Sequence, residues 1–109
     1  MTVPDRGDLV WLDFSPHKGH EQAGRRPGIV LSPAAYNKRI GLALICPITS
    51  KVKGYPFEVA IPDGLNMRGV VLADQVRSLD FEGRNIEIVS RCPESLVEEV
   101  LAKLTTLLD

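Results

Sequence analysis

The chain of 109 residues lacks the features of secreted, membrane and disulfide-rich proteins. Its two cysteines, Cys46 and Cys92, form no Cys-x-x-Cys pair, so a disulfide framework is not expected. No apolar run approaches the roughly 18–20 residues of a membrane span. The opening residues, MTVPDRGD, have no apolar segment of the signal-peptide kind. These absences predict a cytoplasmic protein that makes no membrane contact.

The chain also has no large excess of positive or negative charge, since its formal net charge is -1. This value excludes a protein that coats nucleic acid through its total charge. The distribution is uneven, because residues 1–79 hold ten bases and seven acids while residues 80–109 hold three bases and seven acids. A basic surface on one side fits a polyanionic ligand, and the alternative is a chance asymmetry of a solvated surface.

The motifs of the common small-molecule enzymes are absent: there is no GxGxxG, Walker loop, GxSxG or HExxH. His17 and His20 have the spacing of two metal ligands, but no third Cys or His lies nearby. We therefore expect neither a metal nor another cofactor.

Short apolar segments separated by turn residues predict a mainly antiparallel β protein. No helical pattern separates these segments, so βαβ units are not expected. Towards the end, apolar residues recur three and four positions apart from Leu96 to Leu108 and predict an amphipathic helix, with Pro93 in its first turn. The length fits a single domain over residues 1–109. The predicted strands are Leu9–Phe14, Gly28–Leu31, Leu42–Ile48, Phe57–Ile61, Gly69–Ala73, Val76–Leu79 and Ile86–Val89.

Two polar connections between predicted strands, residues 15–26 and 50–56, hold most of the candidate binding residues. A connection as long as the first is usually functional or disordered in a small domain. Cations hold phosphates and an aromatic ring stacks a base, so both connections fit a surface for single-stranded nucleic acid. Loops that are basic by accident are the alternative. The cations and the aromatic residue are Lys18, Arg25, Arg26, Lys51, Lys53 and Tyr55.

Glu21, Arg26 and Thr49 together match the needs of RNA cleavage without a metal. In that reaction a base accepts the proton of the 2'-hydroxyl, a cation stabilises the charged phosphorane, and a donor assists the leaving 5'-oxygen. Pro27 favours an extended backbone at Arg26, and Thr49 follows a predicted buried strand. Because its pKa exceeds about 12, arginine is a poor proton donor, so Arg26 is assigned mainly to electrostatic stabilisation.

Several blocks of the sequence resemble the MazF/PemK/Kid toxins of type II toxin–antitoxin systems. The resemblance extends over about residues 4–108, and its most specific parts are two motifs found in order. The first is E-Q-x-G-x-R-P at residues 21–27, and the second is A-D-Q-V at residues 73–76. Further matching blocks are residues 7–14, 30–33, 46–50 and 53–59.

This resemblance implies an SH3-like small β-barrel of the CcdB/Kid/MazF type that forms a homodimer. It implies a ribosome-independent, sequence-specific endoribonuclease that cleaves single-stranded mRNA without a metal. It also implies a MazE-like antitoxin whose acidic, disordered tail covers the RNA-binding surface. The catalytic Arg and Thr of the family fall on Arg26 and Thr49, and its loop Glu falls on Glu21.

Other residues are candidates for RNA contacts on weaker grounds. Asp74 and Gln75 lie between two predicted strands, where they could reach base edges or close a turn. The full set of candidate contacts is Lys18, Gln22, Arg25, Lys51, Lys53, Tyr55, Asp74, Gln75 and Arg77.

Two other functions remain open from the sequence. The same fold serves a CcdB-like toxin that inhibits gyrase without nuclease activity, and it also suits a dimeric interaction module. The combination of Glu21, Arg26 and Thr49 separates the endoribonuclease from both, because neither of the others requires it.

Overall fold

A computed structural model of the chain describes residues 2–14 and 24–109. Within these ranges the protein is mainly antiparallel β structure with a C-terminal helix, as the sequence predicts. The strands are β1 (Asp8–Asp13), β2 (Arg25–Val30), β3 (Ala43–Thr49), β4 (Glu58–Ala60), β5 (Val70–Leu72), β6 (Arg77–Leu79) and β7 (Glu87–Arg91). The helices are α1 (Ala34–Ile40) and α2 (Glu94–Thr105), and Ala73–Gln75 forms a single 3₁₀ turn.

Strand β3 is the centre of the sheet, as its long apolar run predicts. It pairs with β2 on one side and, at its two ends, with β6 and β5 on the other side. The pairing path runs β4-β5-β3-β2-β1-β7, and all these pairs are antiparallel. In the described part of the chain β4 does not pair with β7, so the sheet is not closed and the SH3-like barrel remains a prediction.

The apolar residues form one buried cluster on each face of the sheet. Strand β1 contributes to both, because Leu9 packs on the α2 side while Val10 and Leu12 pack on the opposite side. Burying a side chain of this size stabilises the fold by about 1.5–3 kcal/mol. The α2 side also contains Ile29, Cys46, Ile48, Val71, Leu96, Val97 and Val100, and the opposite side contains Phe14, Val30, Ala43, Ile45, Leu79 and Phe81.

Strands β1 and β2 hold together the two ends of residues 15–23. Asp13 pairs with Arg25, and beyond that pair the Phe14 N–H donates to the Gly24 carbonyl at 3.3 Å. Arg84 donates from its side chain to the carbonyls of Asp13 and Phe14. The connection therefore leaves and re-enters the sheet at adjacent positions.

Helix α1 corrects the expectation that no helix separates the first strands. The pattern of apolar residues missed it because Asn37 is the buried residue of α1, while Tyr36 and Ile40 are exposed. Its ends carry ordinary signals, with Pro33 before it and Gly41 after it at φ 81°. Its first N–H, that of Ala34, donates to Asp5 Oδ1 at 2.8 Å, and this bond lowers the pKa of Asp5.

Helix α2 ends earlier than the repeating pattern predicts. It stops at Thr105, and Leu107 and Leu108 lie beyond it with 50% and 75% of their surface exposed. The last two leucines of the predicted stripe are therefore outside the core. No helix within residues 2–14 and 24–109 has the length and apolarity that crossing a bilayer requires.

Cys46 is fully buried in the α2-side cluster, and burial together with the Asp74 charge raises its pKa to about 12. At about pH 8 only about one molecule in ten thousand would carry a thiolate there, and the thiolate is the reactive form. In a Cys92→Ser chain we expect iodoacetamide to leave the folded protein unlabelled and to label it once guanidinium unfolds it. Mass spectrometry of both samples checks this, and equal labelling rates in the two would contradict the burial of Cys46.

Candidate functional site

The pairing of β2 with β3 brings Arg26 and Thr49 to one place. Gly28 pairs with Pro47 and Val30 with Ile45, and the same register continued towards the start of β2 sets Arg26 opposite Thr49. Both side chains line one open cleft of about 530 Å³. The sequence placed these residues on separate segments, and the structure brings them into a common site.

Four segments form the walls of this cleft. They are Trp11 of β1, the start of β2, the end of β3, and the connection between β4 and β5. Its lining includes the cations Arg25, Arg26, Lys51 and Arg68 and, among the described residues, no acidic side chain. Cations that converge in this way attract a phosphate-bearing ligand. The remaining lining residues are Pro27, Ile48, Ser50, Asn66 and Met67.

Thr49 has a hydroxyl group that the backbone holds in place. The Lys51 N–H donates to Thr49 Oγ1 at 3.1 Å, a local turn that fixes the oxygen at the end of β3. A hydroxyl has one proton to donate and two lone pairs. Since the Lys51 contact occupies a lone pair, the Thr49 proton is available to an acceptor in the cleft.

The two neighbouring arginines of β2 differ in their surroundings. Arg25 donates to the Asn85 carbonyl at 2.8 Å, to Asp13 Oδ1 at 3.4 Å and to the Trp11 carbonyl at 3.3 Å. Its Nη2 also lies 3.7 Å from Glu87 Oε1. No side-chain hydrogen bond or ion pair joins the Arg26 guanidinium to another residue of the described ranges. Arg25 is thus held by the protein, whereas Arg26 lines the cleft and no other described residue occupies its donors.

Tyr55 and Asp74, two candidate RNA contacts, form a pair of their own and do not line the cleft. The Tyr55 hydroxyl donates to Asp74 Oδ1 at 2.8 Å, and this hydrogen bond raises the pKa of Tyr55. Asp74 and Gln75 belong to the 3₁₀ turn between β5 and β6, and their contact with RNA stays a prediction. Beside them, the backbone N–H of Lys53 donates to Glu58 Oε2 at 2.9 Å.

Arg77, the first residue of β6, contacts Phe14, which follows β1. Its Nη1 donates to the Phe14 carbonyl at 3.3 Å, and its guanidinium carbon is 5.8 Å from the centre of the Phe14 ring. The candidates between β1 and β2, which are Lys18, Glu21 and Gln22, lie outside the described residues, as do His17 and His20. Within the described ranges no three His, Cys, Asp or Glu side chains form a group that could hold a metal ion.

Several residues of the cleft were not among the candidates predicted from the sequence, and they include Trp11, Asn66 and Arg68. Trp11 is the exposed position of β1, with 37% of its surface exposed between buried neighbours. Arg68 belongs to a connection that reaches the cleft because Val70 pairs with Thr49. The alternation in β1 could have revealed Trp11, but Arg68 depends on a pairing between distant segments.

Comparison with known proteins identifies the family. The PemK-like, MazF-like toxins of type II toxin-antitoxin systems match residues 5–108. The chain belongs to this family. It is 45% identical over 106 residues to the endoribonuclease toxin MazF of Escherichia coli K12, covering 97% of this chain and 95% of that protein. It is 37% identical over 109 residues to the endoribonuclease PemK of Escherichia coli, covering 95% and 81%.

Solved structures of MazF proteins agree with this fold. The crystal structure of MazF from Deinococcus radiodurans superposes with a TM-score of 0.90 at 56% identity, covering 99% of this chain and 98% of that one. A MazE-MazF crystal structure from the same organism gives a TM-score of 0.88 at 51% identity, covering 99% and 97%. The chain is therefore a MazF-type endoribonuclease toxin.

The contrast between Arg25 and Arg26 generates a stability prediction for this MazF-type chain. Removing the side chain in Arg25→Ala deletes hydrogen bonds to Asn85 and Trp11, so we expect the free energy of unfolding to fall by about 1–2 kcal/mol. The matched variant Arg26→Ala should change it by less than about 0.5 kcal/mol. Urea unfolding followed by circular dichroism measures both. Equal losses in the two variants would contradict the structural assignment of Arg25.

Proposed function

We propose that this endoribonuclease toxin cleaves single-stranded mRNA in the cleft at Arg26 and Thr49, at a specific sequence and without the ribosome. The observation that carries the proposal is that both residues line one cleft whose described lining has four cations and no acid. Such a lining attracts a phosphodiester, because the cations complement its negative charge.

Arg26 acts on the charge that develops at phosphorus. When the RNA 2'-hydroxyl attacks, the new oxygen–phosphorus bond produces a phosphorane with more negative charge on its oxygens than the starting diester. A guanidinium whose five donors are not used by described protein groups can bind two of those oxygens at once. Preorganised donors of this kind typically contribute a hundred- to a thousandfold in rate, at about 2.7–4 kcal/mol.

Thr49 orients the same phosphate from the opposite strand. Its oxygen accepts the Lys51 N–H, so its proton is directed to a non-bridging phosphate oxygen. One hydrogen bond from each strand fixes the phosphorus relative to the attacking hydroxyl. Holding reacting groups in the attack geometry lowers the entropy cost of the step.

Glu21 is the proposed general base. The 2'-hydroxyl gives up its proton to this carboxylate, the 2'-oxygen bonds to phosphorus, and the bond from phosphorus to the 5'-oxygen breaks. The leaving 5'-oxygen takes up a proton from solvent, and Glu21 returns the proton that it accepted to solvent. The products are a 5'-hydroxyl and a 2',3'-cyclic phosphate that water can open to a 3'-phosphate. Because the substrate supplies its own nucleophile, we propose that no metal-activated water and no cofactor is needed.

The rest of the cleft supports binding of the chain on either side of the cleaved bond. Lys51 and Arg68 line the cleft and are proposed to bind neighbouring phosphates, and a base is proposed to stack on the exposed indole of Trp11. Further contacts with RNA are proposed from the sequence alone. They involve Lys18, Gln22, Arg25, Lys53, Tyr55, Asp74, Gln75 and Arg77.

The proposal extends to the fold and the partners of the toxin. The open sheet described above is proposed to be the strand set of an SH3-like barrel within one domain, acting as a homodimer in the cytoplasm. The MazE-MazF structures at 49–51% identity support a MazE-like antitoxin, whose acidic tail would complement the cationic cleft. A CcdB-like gyrase inhibitor is not favoured, because the relatives named above are endoribonucleases.

Replacement of Arg26 tests the chemical role of the cleft. We expect Arg26→Ala to lower the rate of cleavage of a long mixed-sequence RNA by at least about a hundredfold in EDTA, since the charge on the phosphorane loses its cation. Primer extension maps the cut ends and single-turnover kinetics measure the rate. Unchanged cutting by a folded Arg26→Ala protein would contradict the assignment.

Removing the Thr49 hydroxyl, or one 2'-hydroxyl of the substrate, tests the mechanism in the same assay. Thr49→Val keeps the shape and loses the donor, so it should cost about ten- to a hundredfold, whereas Thr49→Ser should stay within about tenfold. A substrate with a single 2'-deoxynucleotide at the mapped site should remain intact. Cleavage of that substrate would show that the nucleophile is not the 2'-hydroxyl.

Arg68 generates a separate prediction about binding. We expect Arg68→Ala to raise KM for the mapped RNA about threefold to tenfold with kcat nearly unchanged, because one phosphate contact is lost. The slope of log affinity against log salt should become shallower by about 0.7, the value for one phosphate on a single strand. Arg39→Ala on helix α1, away from the cleft, is the matched control and should change neither quantity. An unchanged salt slope would remove Arg68 from the binding surface.

A further inference from the structure

Gly69 lies directly against the backbone of Thr49. It ends the connection between β4 and β5, and the residue after it, Val70, pairs with Thr49. A Cβ atom at this position would lie 2.8 Å from the Thr49 carbonyl carbon and 2.9 Å from Ser50 Cα, and would overlap the Thr49 carbonyl oxygen. Real side chains do not approach backbone atoms so closely, and a backbone atom cannot turn away as the end of a long side chain can.

We propose that Gly69 is a positioning residue for catalysis. Because glycine has no side chain, the β4–β5 connection packs directly against the Thr49 backbone and so fixes the position of the Thr49 hydroxyl in the cleft. The inference rests on the proposed role of Thr49. It adds a residue that touches no substrate and acts through a contact within the protein.

The strands leave little room to absorb an added methyl group. Gly69 is held on its other side by its carbonyl oxygen, which accepts the Ile61 N–H at 3.0 Å. A side chain would therefore push Thr49 and Ser50 towards the cleft or open the pair between β3 and β5. Either movement displaces Thr49 Oγ1 from the Lys51 N–H that orients it.

Gly69 also determines how close the opposite wall of the cleft comes. The three residues before it, Asn66, Met67 and Arg68, all line the cleft with Thr49. Because the connection turns onto β5 at Gly69 with φ 108°, this wall approaches Thr49 without an intervening side chain. The contact between Gly69 and Thr49 is therefore the point at which this wall positions the Thr49 hydroxyl.

The chain supplies a matched control for the backbone strain of a substitution. Gly64 belongs to the same β4–β5 connection and has a similar positive φ of 94°, but no atom lies within 4 Å of a Cβ built there. Gly64→Ala and Gly69→Ala therefore introduce similar dihedral strain. Only the second forces a collision with Thr49.

The test compares these variants in steady-state cleavage of the mapped RNA. We expect Gly69→Ala to lower kcat about ten- to a hundredfold with KM changed less than about threefold, because a displacement of about 1 Å can cost a hundredfold. Gly64→Ala should keep both constants. In NMR spectra, the amide signals of Thr49 and Lys51 should shift in Gly69→Ala and stay in place in Gly64→Ala.

A double-substitution cycle separates positioning from a general loss of structure. In a Thr49→Val background there is no hydroxyl to misplace, so adding Gly69→Ala should cost less than about threefold. An equal loss in both backgrounds, an equal loss in Gly64→Ala, or a Gly69→Ala chain that does not fold would overturn the proposal. The effect of Thr49→Val alone reports on the cleavage mechanism independently of Gly69.

Discussion

The register between β2 and β3 is the constraint on which the site depends. The position of Arg26 across from Thr49 follows from the pairing of Gly28 with Pro47, when the same register is continued towards the start of β2. A slip of one residue would turn each side chain to the other face of the sheet. The register is held by the apolar residues further along the same strands, where Ile29 and Cys46 pack under α2 and Val30 and Ile45 pack on the opposite face. The core of the protein therefore determines the geometry of its surface chemistry.

The electrostatic character of the cleft comes from how the surrounding charges are distributed. Asp13 and Glu87 lie beside Arg25, so the acids of this region are directed to a structural arginine. Arg26, one residue later, has no such partner in the described ranges. Both arginines line the cleft, so the partners of Arg25 are what distinguish a cation that stabilises the fold from one that is open to a ligand.

Much of this arrangement is present in the sequence. Apolar segments gave the strands that carry the sheet, and Pro27 correctly indicated an extended backbone at Arg26, which lies within β2. Helix α1 was not predicted from the sequence, because it buries Asn37 where an apolar stripe would be expected. Pro33 and Gly41 nevertheless mark its ends. Local signals of capping thus carried information that periodicity did not.

The residues of the site that the sequence did not reveal are those that depend on contacts between distant segments. Arg68 and Gly69 look like ordinary residues of a connection, and their importance appears when β5 is placed beside the end of β3. Likewise, Arg25 and Arg26 are indistinguishable as two adjacent basic residues. Asn85, which accepts from Arg25 through its carbonyl, is sixty positions away in the chain. No local pattern reports such a partner.

The junction of β1 and β2 has an evolutionary consequence. Phe14 and Gly24 are hydrogen bonded to each other, and Arg25 and Arg84 donate to backbone carbonyls of β1. These contacts join the two strands at both ends of residues 15–23. The entropy of closing a loop rises slowly with its length, by about 0.6 kcal/mol for each doubling. Insertions and exchanges between these anchors therefore cost the domain little stability. A chain of this fold could therefore change the length of this segment without disturbing the register between β2 and β3.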